Sequence, residues 1–427
     1  MDEAQQLIQA VAGCYEELPD LIGTDWQAFE GELTILMRLL ESPDENTASV
    51  HRCIIELFKK HPKAYQRLAK ELAAVMPERT RGQQRSLAES PAGSAKMDRY
   101  ISVPVYFGTD RQPSAPADGR PTFSGLRAKN GKVSFGVAQV SIPDDHKMGK
   151  LEKPTFWKLQ FRADPAKHVV LLDVEVFDED AFAGRARKAL AAAGRNEALV
   201  FVHGYNVDFD DALIRAAQVA YDLHFNGLTL AYSWPSEGDV KKYTIDEANI
   251  IWTRPHFKEF LRTTMTRLGV DTVHVIAHSM GNRALADIIP NLDPAQLPDG
   301  AARLREVIFT APDIDAGTFH QLAAKFHGKA ERFTLYASSN DKALLASKTV
   351  HKYARAGDAG KHLVVTQGLD TVDASQLDTS LMGHSYYGDN RSVVSDLLQL
   401  ICHGRAPQER GLEKREKSGA PYWIFSA

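Results

Sequence analysis

At 427 residues, 44% of them hydrophobic and 25% charged, the chain is long enough for one large core beside a smaller one. Its formal net charge of −4 supplies no field to recruit DNA or RNA. Cys14, Cys53 and Cys402 stand far apart with neither CxxC nor metal-ligand spacing, which argues for a reducing, cytoplasmic setting. No window approaches the roughly 20 apolar residues of a membrane helix, and the opening MDEAQQLIQA lacks the basic-then-apolar order of a signal peptide.

Over residues 1–76, apolar side chains recur at helical spacing: Leu7, Ile8, Val11 and Tyr15, then Phe29, Leu33, Leu36 and Leu40, with later sets around Ile54 and Leu68. Pro19, Pro43 and Pro62 punctuate them, so the pattern predicts a small all-α bundle. So small a core invites support from a neighbour, by self-association or from a protein partner. Residues 77–98 are polar, rich in Gly, Ser and Pro, and read as a linker.

From residue 99 the signals alternate. Ser102–Phe107, Val133–Ile142 and His168–Phe177 read as strands, with a Gly- and Pro-bearing loop between the first two. A helix over 178–193 precedes a short buried strand, Leu199–Val202, which ends in His203-Gly204-Tyr205-Asn206. Asp208 caps a helix over 209–224; Thr229–Ser233 is a strand, and 245–268 a long helix that Pro255 should kink or divide. After the segment 271–289, strands at Arg305–Thr310 and Arg332–Ala337 lead to Asp313 and Asp341, Lys361–Thr366 reads as the last strand, and 391–402 as the last helix. Residues 403–427 are a charged tail whose aromatic end, Tyr422-Trp423-Ile424-Phe425, should dock on the body. Buried strands separated by helices predict an α/β domain over 99–402, a doubly wound, mostly parallel sheet covered on both faces, with its site at the carboxyl ends of the strands.

Residues 271–289, DTVHVIAHSMGNRALADII, carry the chemistry. An apolar strand runs into Ala277-His278-Ser279-Met280-Gly281 and a helical pattern follows at once. A serine at such a turn is raised above the sheet edge as a nucleophile, with small residues two before and two after it because strand and helix backbones crowd there. A serine hydroxyl needs a base, and the base needs a carboxylate. Taken in the order Ser, Asp, His, the partners are Asp341, one strand beyond Asp313, and His384, on a late loop between Gly383 and Tyr386-Tyr387. Asp313 is the runner-up acid, and a capping role is the plain alternative for either aspartate. The amides of Met280 and Tyr205 are the candidate oxyanion donors, Gly204 permitting close approach. Trp234 and His278 are candidate substrate contacts, Trp234 otherwise belonging to the core. Without HExxH, GxGxxG or a P-loop pattern, neither a metal nor an organic cofactor is expected.

FVHGYN, YSWPS, IAHSMGNRAL, APDID, YASSNDKAL and GHSYY, with VPVYFGTDRQ and SFGVAQVSIPDDH earlier, resemble in their order the bacterial α/β-hydrolase family catalogued as domain of unknown function 900. The resemblance spans roughly residues 100 to 400 and implies an α/β-hydrolase fold with Ser279, Asp341 and His384 as its triad. The expected activity is cleavage of a carboxylic ester, lipid esters included, or a related acyl bond. The competing readings are an effector recruited to a protein partner through residues 1–76, and a non-catalytic scaffold on a hydrolase fold.

Overall fold

A computed structural model describes residues 99–115, 119–152, 164–237, 242–293, 296–340, 353–377 and 390–425, all within the unit Asp98–Lys153 and Asp164–Ala427. The expected helical bundle and linker, Asp341 and His384 lie outside the described residues.

The strands are β1 (Tyr100–Thr109), β2 (Arg111–Ser114), β3 (Thr122–Arg127), β4 (Ser134–Pro143), β5 (Val170–Phe177), β6 (Glu197–Val202), β7 (Leu228–Ser233), β8 (Thr272–His278), β9 (Arg303–Thr310), β10 (Arg332–Ala337), β11 (Asp370–Asp373), β12 (Leu412–Lys417) and β13 (Ala420–Phe425). Among the described residues, eleven of them form one sheet in the order β12-β13-β11-β10-β9-β8-β6-β7-β1-β4-β5, and β2 and β3 form a separate hairpin. The run from β13 to β1 is parallel, while β4, β5 and β12 join antiparallel at the two sides. The central strands β6, β7 and β8 are buried almost end to end, as a sheet covered on both faces requires.

The helices are α1 (Glu179–Ala192), α2 (Phe209–Asp222), α3 (Tyr243–Trp252), α4 (Arg254–Arg267), α5 (Gly281–Ile288), α6 (Ala316–Ala323) and α7 (Arg391–His403). Asp178 and Asp208 cap α1 and α2, each carboxylate accepting the amide three residues on. The long helical pattern after β7 is divided at Thr253, which puts Pro255 in the first turn of α4, where its missing N–H costs nothing.

The predicted strand Lys361–Thr366 is not one. Residues 360–362 form a 3₁₀ turn, and the carbonyls of Lys361 and Leu363 are taken by the Lys417 ammonium at 2.9 Å instead of by a neighbouring strand. Pairing passes to β11, where Thr334 of β10 lies opposite Asp370, and Thr371 ties the displaced segment down through the Val364 carbonyl at 2.8 Å.

Helices α1, α3, α4, α5 and α6 bury Phe182, Ile250, Phe257, Leu285 and Phe319 against one face of the sheet; α2 and α7 bury Phe209, Leu213, Leu397 and Leu400 against the other. The chain leaves β6 for the α2 face and β8 for the α5 face, although β6 and β8 are neighbours with Val202 opposite Ala277. This is the topological switch point of the sheet, and its carboxyl edge is the place where such sheets bind ligands.

Candidate active site

Ser279 follows β8 with φ 51°, a left-handed conformation costing a non-glycine residue about 1–2 kcal/mol. Its backbone is held on every side. The Ser279 amide donates to the Thr310 carbonyl at 3.0 Å, and its carbonyl accepts from the Asn282 amide (3.2 Å), the buried Asn282 side chain (3.0 Å) and the Asp313 amide (3.2 Å). At roughly 1 kcal/mol net each, these bonds offset the strain. The small flanking residues answer to the same crowding: a Cβ on Gly281 would lie 2.4 Å from the His203 carbonyl oxygen, whereas Ala277 is accommodated in the core. Met280 is buried at the N-terminal end of α5, where the first amides have no intrahelical acceptor.

The loop after β6 closes over the turn. A Cβ on Gly204 would fall 2.8 Å from the Ser279 Cβ and 2.9 Å from His278 Nδ1, so only glycine fits between them. His203 stacks on Trp234 with ring centroids 5.0 Å apart, and the Trp234 indole donates to the His203 carbonyl at 2.8 Å. Trp234, expected on the pocket wall, is fully buried, and its visible work is to seat this loop. Burial first, and then the positive charge of Arg111, hold the His203 imidazole well below its ordinary range, so the ring stays neutral at neutral pH and resists taking up a proton. The Tyr205 ring packs edge-on against Tyr243, 5.2 Å between centroids.

Asp313 reaches the same edge from the loop after β9, past Ala311, itself at φ 46°. One carboxylate oxygen accepts from the Tyr243 hydroxyl at 2.6 Å and from Arg283 at 3.1 Å; the other lies 3.1 Å from Arg355 Nε. Arg283 also donates to the Asp313 carbonyl (2.6 Å) and to Glu247 (2.7 Å), tying α3, α5 and the β9 loop together around Ser279. Beside this cluster a cleft of about 430 Å³ is rimmed by Arg254, Arg283, Arg355, Glu247 and Asp287 over Ile314 and Leu322.

The structure thus brings Ser279, Met280, His278, Tyr205, Trp234 and Asp313 to one edge of the sheet. Asn340, the residue before Asp341, lies at that edge too, its side chain donating to the Ser375 carbonyl at 2.8 Å and so joining the loops after β10 and β11. The principal residue that sequence reasoning did not single out is Arg111, wholly buried behind the 203–207 loop just after β1. Among the described residues no group of three acidic, histidine or cysteine side chains is arranged to hold a metal, and no helix is long and apolar enough to cross a membrane.

Two solved structures resemble parts of the chain. One is described as a CIB-like hydrolase from Thermoplasma acidophilum (15% identity, 49% of this chain and 88% of that one, TM-score 0.28), the other as a cell surface hydrolase from Lactobacillus plantarum WCFS1 (11% identity, 51% and 96%, TM-score 0.31). No curated protein matches the sequence. Residues 178–403, more than half of the chain and the whole span from α1 through the Ser279 turn to α7, match the family described as alpha/beta hydrolase of unknown function (DUF900). With its doubly wound sheet and its serine turn at the switch point, the chain belongs to this family of α/β-hydrolases.

Proposed function

We propose that this hydrolase is a serine esterase acting on a carboxylic ester, lipid esters included, or a related acyl bond. The observation that carries the reading is the left-handed Ser279 between β8 and α5, faced at van der Waals limit by Gly204. Ser279 Oγ attacks the acyl carbon while His384 takes its proton and Asp341 holds the imidazole in the productive tautomer. The carbonyl oxygen becomes an oxyanion that accepts hydrogen bonds from the Met280 and Tyr205 amides. Collapse expels the alcohol, protonated by His384, and leaves an acyl-Ser279 that water, deprotonated by the same histidine, hydrolyses. The choice of Asp341 over Asp313 is supported by the engagement of both Asp313 oxygens with Arg283, Arg355 and Tyr243.

A fluorophosphonate probe should label the wild-type chain and leave Ser279→Ala unlabelled, with ester turnover down at least about 10⁴-fold. A folded wild type that neither labels nor turns over p-nitrophenyl esters of any chain length would refute the assignment.

A further inference from the structure

A buried guanidinium braces the loop that carries the Tyr205 amide. Arg111, entirely excluded from solvent, spreads all three of its nitrogens over the loops of the catalytic edge: Nε donates to Ser233 Oγ at 2.9 Å, Nη1 to the Ser236 carbonyl at 2.8 Å and the Ser124 carbonyl at 3.4 Å, and Nη2 to the Val207 carbonyl at 2.8 Å. Nη2 also lies 3.4 Å from His203 Nε2. Arginine can only donate, so Nε2 is the bare, accepting nitrogen of a neutral ring, and the proton sits on Nδ1. Nδ1 is 2.8 Å from the Gly204 carbonyl oxygen and donates to it. Carbonyl and N–H of a trans peptide point to opposite sides, and no described peptide is cis. Anchoring the Gly204 carbonyl on His203 therefore turns the N–H of the same peptide, that of Tyr205, away from the histidine, at the glycine that abuts Ser279.

We propose that Arg111 is a positioning residue that, through the tautomer of His203, fixes the Gly204–Tyr205 peptide for oxyanion binding at Ser279. The claim rests on the serine-hydrolase reading above and extends it to how the site is held. Two further contacts support the same loop from outside: Ser236 donates to Asp246 at 2.5 Å and accepts from the Val207 amide at 3.3 Å, and the Asn206 amide also reaches Asp246. Burial pulls the Arg111 pKa down to about 10, opposed by Asp208, Asp110, Asp246 and Glu237, so the guanidinium stays charged at neutral pH. Lysine keeps the charge and lacks the planar fork that serves several acceptors at once.

The test compares the full-length wild type with Arg111→Met and Arg111→Lys. Arg111→Met should lose about 100-fold in p-nitrophenyl ester kcat with KM within about threefold, and Arg111→Lys should recover part of the loss. In parallel, ¹⁵N-detected NMR of His203 should report Nδ1–H with a hydrogen-bonded Nε2 in the wild type. In Arg111→Met the Nε2 resonance should shift as its cationic donor is lost, and the fall in kcat at nearly constant KM, partly restored by lysine, is a pattern that mere loosening of the fold would not create. Should Arg111→Met fail to fold, Arg111→Lys by itself should show a shifted Nε2 resonance with a several-fold loss of kcat; Ser233→Ala is no substitute, because Ser233 Oγ lies 3.5 Å from His203 Nε2. Unchanged His203 resonances with kcat within threefold of wild type would overturn the proposal. A wild type without turnover would instead overturn the serine-hydrolase reading, a separate failure, because the NMR arm needs no substrate.

Discussion

Among the described residues Arg111, Arg355 and Arg410 have guanidinium groups almost entirely excluded from solvent, and Arg111 and Arg410 are treated differently. Arg111 finds acceptors for Nε, Nη1 and Nη2. Arg410, its side chain hidden beneath α7, donates through Nη1 to Asp396 at 2.8 Å and to the Tyr336 hydroxyl at 3.1 Å, while among the described residues its Nε and Nη2 have no hydrogen-bond partner. Around it, one oxygen each of Asp396, Glu306 and Thr334 is likewise buried without a partner among the described residues. A fully satisfied buried network specifies one geometry, and a half-satisfied one costs stability without specifying much. The difference lies in what each group holds: Arg111 fixes the loop that must meet Ser279 within a fraction of an ångström, whereas Arg410 braces α7 against the sheet.

The comparison can be broken most directly at the loop that Arg111 supports. Gly204→Ala puts a methyl into the Ser279 Cβ and His278, so ester kcat and fluorophosphonate labelling should both fall at least about 100-fold while urea unfolding stays cooperative. Near-normal labelling would mean that the 203–207 backbone is not needed where it lies. Arg410→Met should do the reverse: turnover within about threefold of wild type, but stability lower by about 3 kcal/mol in urea titrations, because Asp396 is left buried without its cation. A large fall in turnover at unchanged stability would erase the distinction.

Buried charges elsewhere calibrate the scale. His146 sits between Glu152 (2.6 Å) and Asp222 (2.8 Å); burial opposes its charge, but the hydrogen bonds and charges of both carboxylates outweigh it and raise the pKa to about 9. A histidine raised above its unfolded value stabilises fully below about pH 6.5 and loses that contribution as pH climbs through about 9. His146→Gln should therefore cost about 2–3 kcal/mol at pH 6 and progressively less towards pH 10. Glu306 has the opposite sign. Burial lifts its pKa to about 7 against the pull of Arg332, Arg305 and Arg410, so its ionisation opposes folding as pH rises from about 4.5 through 7. Glu306→Gln should be near neutral at pH 4 and gain about 2 kcal/mol at pH 8, read from parallel denaturation curves.

Much of this architecture was legible because burial writes itself into sequence. The runs at 199–202, 229–233, 305–310 and 332–337 are apolar because both sheet faces are covered, and Ser279 was found by a strand, small residues and a helix in direct succession. The four-residue β11 hid behind the more apolar Leu363-Val364-Val365, of which Leu363 and Val364 are buried without being laddered, and β12, LEKREK, is a charged edge strand with no apolar face to announce it. The β2–β3 hairpin replaces the predicted loop for the same lack of alternation. Arg111 was opaque for a different reason. A charged residue reads as solvated unless the chain is known to fold four separate carbonyl and hydroxyl acceptors around it, and those come from positions 124, 207, 233 and 236.

The span matched by the family ends short of the sheet on both sides. β7 pairs with β1 and β11 pairs with β13, and neither partner falls within residues 178–403. A fragment trimmed to those limits would bare two rows of unpaired backbone amides and carbonyls, invite edge-to-edge aggregation, and leave behind residue 111 with its whole fan of donors. Anyone shortening this polypeptide for expression should keep everything from residue 99 through residue 425.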